Sequence, residues 1–292
     1  MNVQEVLVVG SGLMGSGIAQ VCAQAGIKVI LSDLQPEALQ RAMKNISWSV
    51  GKFVEKGTVP GPPESVLACI RTSTELDAGR DADFVIEAVF ENTDLKREVF
   101  KILDRAVKPE AIFASNTSAI SISELASVTE RPGKVLGLHF FSPVPMMRAV
   151  EVIRGMFTSE ETFKAGEALV RRLSKEPILV QRDVPAFVIN RINYRANIEA
   201  MRLVEDGVTT VEDVDKGLRL ASGRKMGPFE IGDMVGLDVT YGALMSIYEE
   251  TKDQSFYPPA ILRRKVQMGH LGRKTGKGWY EYDSEGTMKK SE

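Results

Sequence analysis

Residues 6–15 read VLVVGSGLMG, and this stretch decides the fold. The four apolar residues at its start predict a buried strand, and the spacing of apolar residues after the glycines predicts a helix. Between them lies the G-x-G-x-x-G pattern of dinucleotide-binding turns. In this pattern Gly10 permits the tight turn, Gly12 lets backbone approach a pyrophosphate, and Gly15 brings the helix close to the strand. The helix N-terminus then offers free N–H groups to the phosphates.

An acid at the end of the next strand indicates which dinucleotide binds. Residues 28–33 read KVILSD, so Asp33 closes an apolar strand. A carboxylate there accepts hydrogen bonds from the hydroxyls of an adenosine ribose and repels a 2′-phosphate. We therefore predict NAD rather than NADP, with Leu13 and Met14 as further contacts in the first turn of the helix. An ordinary strand–turn–helix without a cofactor is the alternative.

The composition is that of an ordinary soluble protein of 292 residues, with 26% charged and 43% hydrophobic residues. A net charge of −2 argues against a nucleic-acid partner, and no apolar run is long enough to predict a membrane span. We interpret Cys22 and Cys69 as core residues in a reducing compartment, and we expect neither a disulfide nor a metal site. A cytoplasmic location is expected; a processed protein of the mitochondrial matrix is the alternative.

Strands and helices alternate through the first part of the chain. Predicted strands cover residues 6–9, 28–33, 82–89, 111–115, 135–141, 149–154 and 178–180. Predicted helices cover residues 36–53, 95–107 and 160–174, with another from about residue 123. This alternation predicts an α/β fold with a doubly wound, Rossmann-type sheet.

The strands stop after Asp183, and only helical spacing follows. Helices are expected over residues 186–206, 211–220, 238–252 and 259–268. We therefore predict two domains, a Rossmann domain over residues 1–183 and an all-helical domain over residues 184–292. The apolar faces of the second domain are expected to pack either on the first domain or on a second subunit.

The chain has two histidines, and they lie in different contexts. His270 falls in a polar loop, and we interpret it as solvated surface. His139 lies near the end of an apolar strand, where a partly desolvated imidazole stays neutral and can accept a proton. A core histidine bound to a backbone carbonyl is the alternative.

Glu151 favours a catalytic role for His139. It interrupts the apolar stretch VEVI, where a carboxylate buried without a partner is costly. The short connection between the two strands can set them side by side, so that Glu151 accepts a hydrogen bond from His139. Such a pair is an oriented general base, which beside a nicotinamide takes the proton of an alcohol while hydride leaves the same carbon. A purely structural His–Glu bond is the alternative.

Two further polar residues are candidates for contact with a substrate. Ser118 follows a strand at its carboxyl end, where ligands bind in open α/β sheets, although a helix cap is the alternative. Asn190 lies in an apolar stretch that leads into the helical domain. Its amide is expected either to reach a substrate oxygen across a cleft or to satisfy backbone groups.

The chain resembles the L-3-hydroxyacyl-CoA dehydrogenase family, including bacterial 3-hydroxybutyryl-CoA dehydrogenases. The likeness covers almost all of the sequence. The motifs that carry it are GSGLMG (10–15), IEAVFEN (86–92), SNTS (115–118), HFF (139–141), VEVI (150–153), FVINR (187–191), MGPF (226–229) and GRKTG (272–276).

The resemblance implies roles for individual residues. Positions matching His139 and Glu151 form the family's catalytic pair, and those matching Ser118 and Asn190 contact the reacting oxygen. Positions matching Glu91, Lys96 and Lys274 line the nicotinamide half of the cofactor site, and Ser118 and Ser142 are further expected cofactor contacts. Ser49 and Lys56, with Ser118, correspond to positions that hold coenzyme A. The family's helical domain mediates dimerisation, which implies a homodimer.

The sequence departs from the family pattern at a few positions. Ser142 stands where Asn is usual and Ala186 where Gly is usual, while Arg148-Ala149 and Lys225 are also atypical. None of these changes removes a catalytic group. We therefore expect reversible NAD-dependent oxidation of an L-3-hydroxyacyl-CoA, of short chain, to the 3-ketoacyl-CoA. The alternatives are a relative that oxidises a free hydroxy acid or sugar acid, and a non-catalytic NAD-binding protein.

Overall fold

An eight-stranded sheet forms the first of two compact units, which meet in sequence between Phe187 and Val188. The computed structural model describes residues 3–289. The strands are β1 (Glu5–Val9), β2 (Lys28–Ser32), β3 (Ile70–Ser73), β4 (Phe84–Glu87), β5 (Ile112–Ser115), β6 (Val135–Phe140), β7 (Ala149–Ile153) and β8 (Glu176–Val180). Their order is β3-β2-β1-β4-β5-β6-β7-β8, and all neighbours run parallel except β6 and β7.

Six helices accompany this sheet in the described part of the first unit. They are α1 (Leu13–Gln24), α2 (Pro36–Glu55), α3 (Pro63–Leu67), α4 (Thr93–Ala106), α5 (Ile122–Ala126) and α6 (Glu160–Arg172). The strand order reverses at β1, so right-handed crossovers place helices on both faces, as a doubly wound sheet requires. The predicted Rossmann-type fold is confirmed. The carboxyl ends of β1 and β4 flank the switch point, where ligands bind in such sheets.

The second unit is helical, as predicted. Its helices are α7 (Ile189–Glu205), α8 (Val211–Ser222), α9 (Pro228–Val235), α10 (Leu237–Thr251) and α11 (Ala260–Gln267). Two buried carboxylates hold it together. Asp215 of α8 accepts from the amides of Phe229 and Glu230 at the start of α9, and Asp233 of α9 accepts from the amides of Trp279 and Tyr280. No helix within residues 3–289 has the length and apolar character of a membrane span.

Several element boundaries differ from the predictions. The predicted helix over residues 186–206 begins only at Ile189, because Ala186 and Phe187 have φ of +61° and +50°, which a right-handed helix excludes. The strand predicted over 82–89 ends at Glu87, because the Val89 amide bonds the Glu87 side chain instead of a neighbouring strand. The sequence analysis missed β3, α3 and α9, which are short elements.

Candidate active site

The glycine turn joins β1 to α1 at the carboxyl edge of the sheet. Gly10 has φ of +98°, and an added Cβ there would lie 2.6 Å from the Ala88 oxygen. A Cβ on Gly15 would lie 1.8 Å from the Gly10 oxygen, so both positions require glycine. Gly12 is the N-cap of α1, and no side chain caps the helix there. A Cβ added to Gly12 would have no heavy atom within 4 Å, so the space above the helix N-terminus is open. These free N–H groups and the open space fit a dinucleotide pyrophosphate.

Asp33 follows β2 and is held by the glycine turn itself. Its Oδ2 accepts from Ser11 N at 2.9 Å and Ser11 Oγ at 2.8 Å, and its Oδ1 accepts from Gln35 N at 3.1 Å. Burial alone would raise the pKa of Asp33, but these hydrogen bonds and the charge of Arg41 outweigh it and lower the pKa below the ordinary value. The carboxylate is therefore ionised, as a ribose-binding acid must be.

Three large apolar side chains stand exposed near this turn. Leu13 is 75%, Leu34 84% and Phe90 86% exposed, and each follows a strand at the same edge of the sheet. Met14, by contrast, packs partly buried against the core. Large exposed apolar side chains grouped at one edge indicate a surface that a ligand covers. Sequence reasoning named Leu13 but missed Leu34 and Phe90.

His139 and Glu151 face each other across the antiparallel pair β6–β7. They are direct register partners, and His139 Nδ1 lies 2.7 Å from Glu151 Oε2. The two side chains are 5% and 0% exposed. Because an ionised carboxylate only accepts hydrogen bonds, the imidazole donates through Nδ1, which leaves Nε2 as the accepting nitrogen of the neutral ring.

Ser118 completes a polar line that ends at this accepting nitrogen. Its Oγ lies 3.1 Å from His139 Nε2, so the hydroxyl donates to the imidazole. The rings of Phe141 and Phe187 lie 4.7 and 5.7 Å from the imidazole, measured between centroids. The imidazole is thus held by a carboxylate on one side, a hydroxyl on the other and aromatic rings against it.

Glu91 fixes the backbone on which Ser118 stands. Its Oε1 accepts from Thr117 Oγ1 at 2.5 Å, from Ser118 N at 2.8 Å and from Ala119 N at 3.1 Å. The Glu91 side chain is 42% exposed. The acid that the resemblance assigns to the cofactor site therefore also orients the hydroxyl that reaches His139.

Lys96 forms a buried ion pair beneath Glu91. Its Nζ lies 2.6 Å from Glu87 Oε1 and 3.4 Å from Glu91 Oε2, and its side chain is 1% exposed. Glu87 also accepts from Ser115 Oγ at 2.6 Å and from Val89 N at 2.8 Å. The ammonium is enclosed by protein acceptors, so it acts on its surroundings through the position and charge of Glu91.

The remaining candidates of the first unit lie apart from this network. Ser142 is exposed in the connection between β6 and β7 and precedes a cis peptide bond to Pro143. Ser49 is half-buried on α2, and Lys56 is the exposed C-cap of that helix. In the described part of the chain, no hydrogen bond joins these three side chains to the His139–Glu151 pair.

The second unit carries two of the predicted site residues. Asn190 lies half-buried in the first turn of α7. Lys274 Nζ lies 2.6 Å from Asp238 Oδ1. The hydrogen bond and charge of this ammonium outweigh the effect of burial and lower the pKa of Asp238. His270 is half-buried rather than fully solvated, because its loop folds back and its amide bonds the Lys265 oxygen.

Sequence reasoning missed several residues that build the site. Ser11 donates to Asp33. Ser115 Oγ donates to Glu87, which also accepts from Lys96. Asn116 Oδ1 accepts from Phe140 N, next to His139. A signal existed for Glu87, because it is a carboxylate in the apolar strand FVIE, just as Glu151 is in VEVI. The other residues are small polar side chains whose partners become visible only once the strands are aligned.

Comparison with known proteins gives consistent matches over the whole chain. Family models described as "3-hydroxyacyl-CoA dehydrogenase, NAD binding domain" and "3-hydroxyacyl-CoA dehydrogenase, C-terminal domain" match residues 5–184 and 187–282. The chain is 39% identical to a 3-hydroxybutyryl-CoA dehydrogenase of Bradyrhizobium diazoefficiens (96% of each chain covered). It is 40% identical to the mitochondrial hydroxyacyl-coenzyme A dehydrogenase of Mus musculus (96% of this chain, 91% of the other).

A solved structure is similar throughout. The (S)-3-hydroxybutyryl-CoA dehydrogenase of Ralstonia eutropha superposes with a TM-score of 0.93 at 40% identity. The match covers 97% of this chain and 100% of the other. The likeness therefore extends over both units and not the nucleotide-binding sheet alone.

Proposed function

Because the chain belongs to the 3-hydroxyacyl-CoA dehydrogenase family and is an NAD-dependent oxidoreductase, we propose that the His139–Glu151 pair is its catalytic base. The reaction is the reversible oxidation of a 3-hydroxyacyl-CoA to the 3-ketoacyl-CoA. NAD, when bound, accepts the hydride that leaves C3. The protein must therefore accept the hydroxyl proton and hold the oxygen while the carbonyl forms.

One observation carries this proposal. The bond of 2.7 Å from His139 Nδ1 to Glu151 Oε2 aims the accepting Nε2 away from the carboxylate and toward Ser118 Oγ. A substrate hydroxyl that replaces the Ser118 hydroxyl at Nε2 gives its proton to that nitrogen, and the buried carboxylate stabilises the imidazolium that results. In the reverse direction the imidazolium returns the proton to the 3-oxygen.

The cofactor-binding set follows from the turn and its surroundings. We assign the pyrophosphate to the turn of Gly10, Gly12 and Gly15, and the adenosine ribose to Asp33. Leu13 and Met14 complete the first turn of α1. Exposed Leu34 and Phe90 join Leu13 as apolar contacts for the cofactor.

The nicotinamide side rests on the resemblance together with the geometry around Ser118. We assign Glu91, Ser118 and Ser142 to it, with Lys96 acting through Glu91. Asn190 and Lys274 belong to the second unit, and their assignment to the reacting oxygen and to the cofactor stays a prediction.

We propose a short-chain substrate of the 3-hydroxybutyryl-CoA type, since bacterial relatives carry that name. For the coenzyme A moiety we assign Ser118, Ser49 and the exposed ammonium of Lys56, which suits a phosphate. We also propose that residues 184–292 form a substrate and dimerisation domain, and that the protein acts in the cytoplasm, where free thiols such as Cys22 and Cys69 persist.

A comparison of two substrates tests this function. NADH oxidation is followed by absorbance with acetoacetyl-CoA and, separately, with free acetoacetate. We expect rapid turnover of the thioester and little of the free acid, because the acid lacks the coenzyme A contacts. Preference for free acetoacetate would favour the rival hydroxy-acid dehydrogenase, and activity with neither would leave only a binding protein. A series of 3-ketoacyl-CoA lengths then locates the preferred chain.

A further inference from the structure

Lys175 is a buried lysine that the proposed chemistry does not use. It lies between α6 and β8 and is 7% exposed. Its Nζ donates to the Val144 and Met147 oxygens, both at 2.7 Å. Both acceptors belong to the β6–β7 connection, residues 141–148, which joins the strand of His139 to the strand of Glu151.

The ammonium is balanced there by backbone dipoles. Burial lowers the pKa of Lys175. The nearby thiol of Cys22 is no counter-ion, because burial raises its pKa to about 12 and keeps it neutral. A buried ammonium costs free energy that an apolar side chain would not. Its presence is explained if the two hydrogen bonds hold the connection in a particular place.

The connection is also seated on α1, the helix of the glycine turn. Val144 is 2% exposed, and a Cβ added to Gly17 of α1 would lie only 2.8 Å from its Cβ and 3.5 Å from Pro145 Cδ. Met146 and Met147 both donate their amides to the Pro143 oxygen, so the segment is a tight turn. It therefore runs from the dinucleotide helix to the strands of the His139–Glu151 pair.

We infer that Lys175 is a positioning residue for hydride transfer, because it fixes the β6–β7 connection, which links the dinucleotide helix α1 to the strand of His139. This rests on the proposed function, which assigns the dinucleotide to the turn before α1 and the substrate hydroxyl to His139. Without the Lys175 ammonium, Val144 would no longer be held against Gly17, and Ser142 in the same connection would shift with it. A misplacement of about 1 Å between cofactor and substrate is enough to lower the rate of hydride transfer strongly.

The test is Lys175→Met, which keeps an unbranched side chain as far as Cε and removes the ammonium. We expect the Kd for NADH, from fluorescence titration, to rise several-fold and kcat with acetoacetyl-CoA to fall by about tenfold, per folded enzyme. Lys175→Arg keeps donors but shifts the connection, so its values should fall between those of Met and the parent protein.

Lys108→Met is the matched control. The Nζ of Lys108 bonds the Asp81 oxygen at 2.8 Å and Asp83 Oδ1 at 2.7 Å, at the opposite, amino edge of the sheet. Its loss should lower the unfolding midpoint without changing Kd or kcat. Equal kinetic loss in this control would overturn the inference.

The possible failures are distinguishable. An unmutated protein without activity on acetoacetyl-CoA refutes the proposed function. An active one, with parental Kd and kcat in Lys175→Met, refutes the role of Lys175 alone. If Lys175→Met does not fold, Lys175→Arg is the deciding variant. A raised Kd for NADH with a lowered kcat supports the inference, and parental values of both overturn it.

Discussion

Glu151 and Glu87 are both carboxylates at wholly buried positions in strands, yet they have different partners. Glu151 binds the imidazole of His139, whereas Glu87 binds the ammonium of Lys96 at 2.6 Å. The first pairing could be predicted, because a short connection joins the two strands. The second could not, because Lys96 lies on a helix whose rotation against the sheet the sequence does not reveal. The Glu151 pair leaves the Nε2 of His139 as an accepting atom, and the proposed catalysis depends on that atom.

His139→Gln should reduce kcat without loss of cofactor affinity. Glutamine preserves bulk and polarity but cannot accept and return a proton, and loss of such a base costs roughly 10²–10⁴-fold in rate. Steady-state kinetics with acetoacetyl-CoA and NADH fluorescence titration measure the two properties separately. Parental kcat would remove the assignment of His139 as base.

Glu151→Gln should also reduce kcat, by roughly 10²-fold or more, since the amide no longer stabilises the imidazolium. The matched control is Glu176→Gln, which removes a carboxylate from an exposed pair with Arg148. That control should leave activity and stability nearly unchanged. If Glu151→Gln kept full activity while losing stability, the pair would be structural.

Ser11→Ala should make NAD binding sensitive to mild acid. In the folded protein the pKa of Asp33 lies below its ordinary value. The favourable contribution of the ionised carboxylate is therefore complete above the ordinary pKa, and it is lost only as the pH falls through the lowered pKa. The KM for NAD should therefore be flat down to about pH 5, and at about pH 4 Ser11→Ala should raise it more than at pH 8. An equal change at both pH values would contradict this reading.

At the scale of elements, a strand or helix could be predicted from the sequence only where its apolar residues form a clear pattern. β1, β2, β6 and β7 are rich in apolar residues, and their prediction came within a residue or two of the observed bounds. The edge strand β3 reads IRTS, with one apolar residue, and α3 has five residues, so neither has a usable period. The glycine turn and the His139–Glu151 pair lie on or next to strands with a clear apolar pattern, and so could be predicted. The hydrogen bonds of Ser115 and Asn116 could be found only once the strands were aligned in the sheet.

The backbone just before α7 is strained, and this strain has a measurable cost in stability. Ala186 has φ of +61°, where an L-residue is strained and glycine is not. Ala186→Gly should raise the free energy of unfolding by about 0.5 kcal/mol, the relief of strain exceeding the entropy lost by glycine. Ala186→Val should lower it by more than about 1 kcal/mol, because branching at Cβ worsens the clash. Urea unfolding of the three proteins should rank them Gly, Ala, Val; any other order would contradict the strain.

At the scale of the whole molecule, the two family models follow one another along the chain, with the sheet unit first and the helical unit second. The first unit contains the glycine turn and the His139–Glu151 pair. The second exposes apolar side chains on α9 and α10, among them Ile231, Met234, Val235 and Val239. Exposed apolar residues grouped on neighbouring helices are typical of an interface, which supports the proposed homodimer.

Met234→Glu with Val235→Glu should produce monomers. Two carboxylates placed in an apolar interface would have to be buried there, at a desolvation cost that the contact cannot offset. Light scattering coupled to size-exclusion chromatography measures the mass. Glu substitution at exposed Met156, in the first unit, is the control and should leave the mass unchanged. A dimer that survives the double change would place the interface elsewhere.

The bond between Ser11 and Asp33 has a practical consequence for redesign. Ser11, a variable position of the glycine turn, and Asp33, the acid proposed to select the coenzyme, share two hydrogen bonds, so we expect them to act as a single recognition unit. Exchanging the acid alone for a small or basic residue, in the hope of recruiting the phosphorylated coenzyme, would strand a hydroxyl and an amide donor in the turn. Engineers who want to reverse the preference must rebuild both positions together.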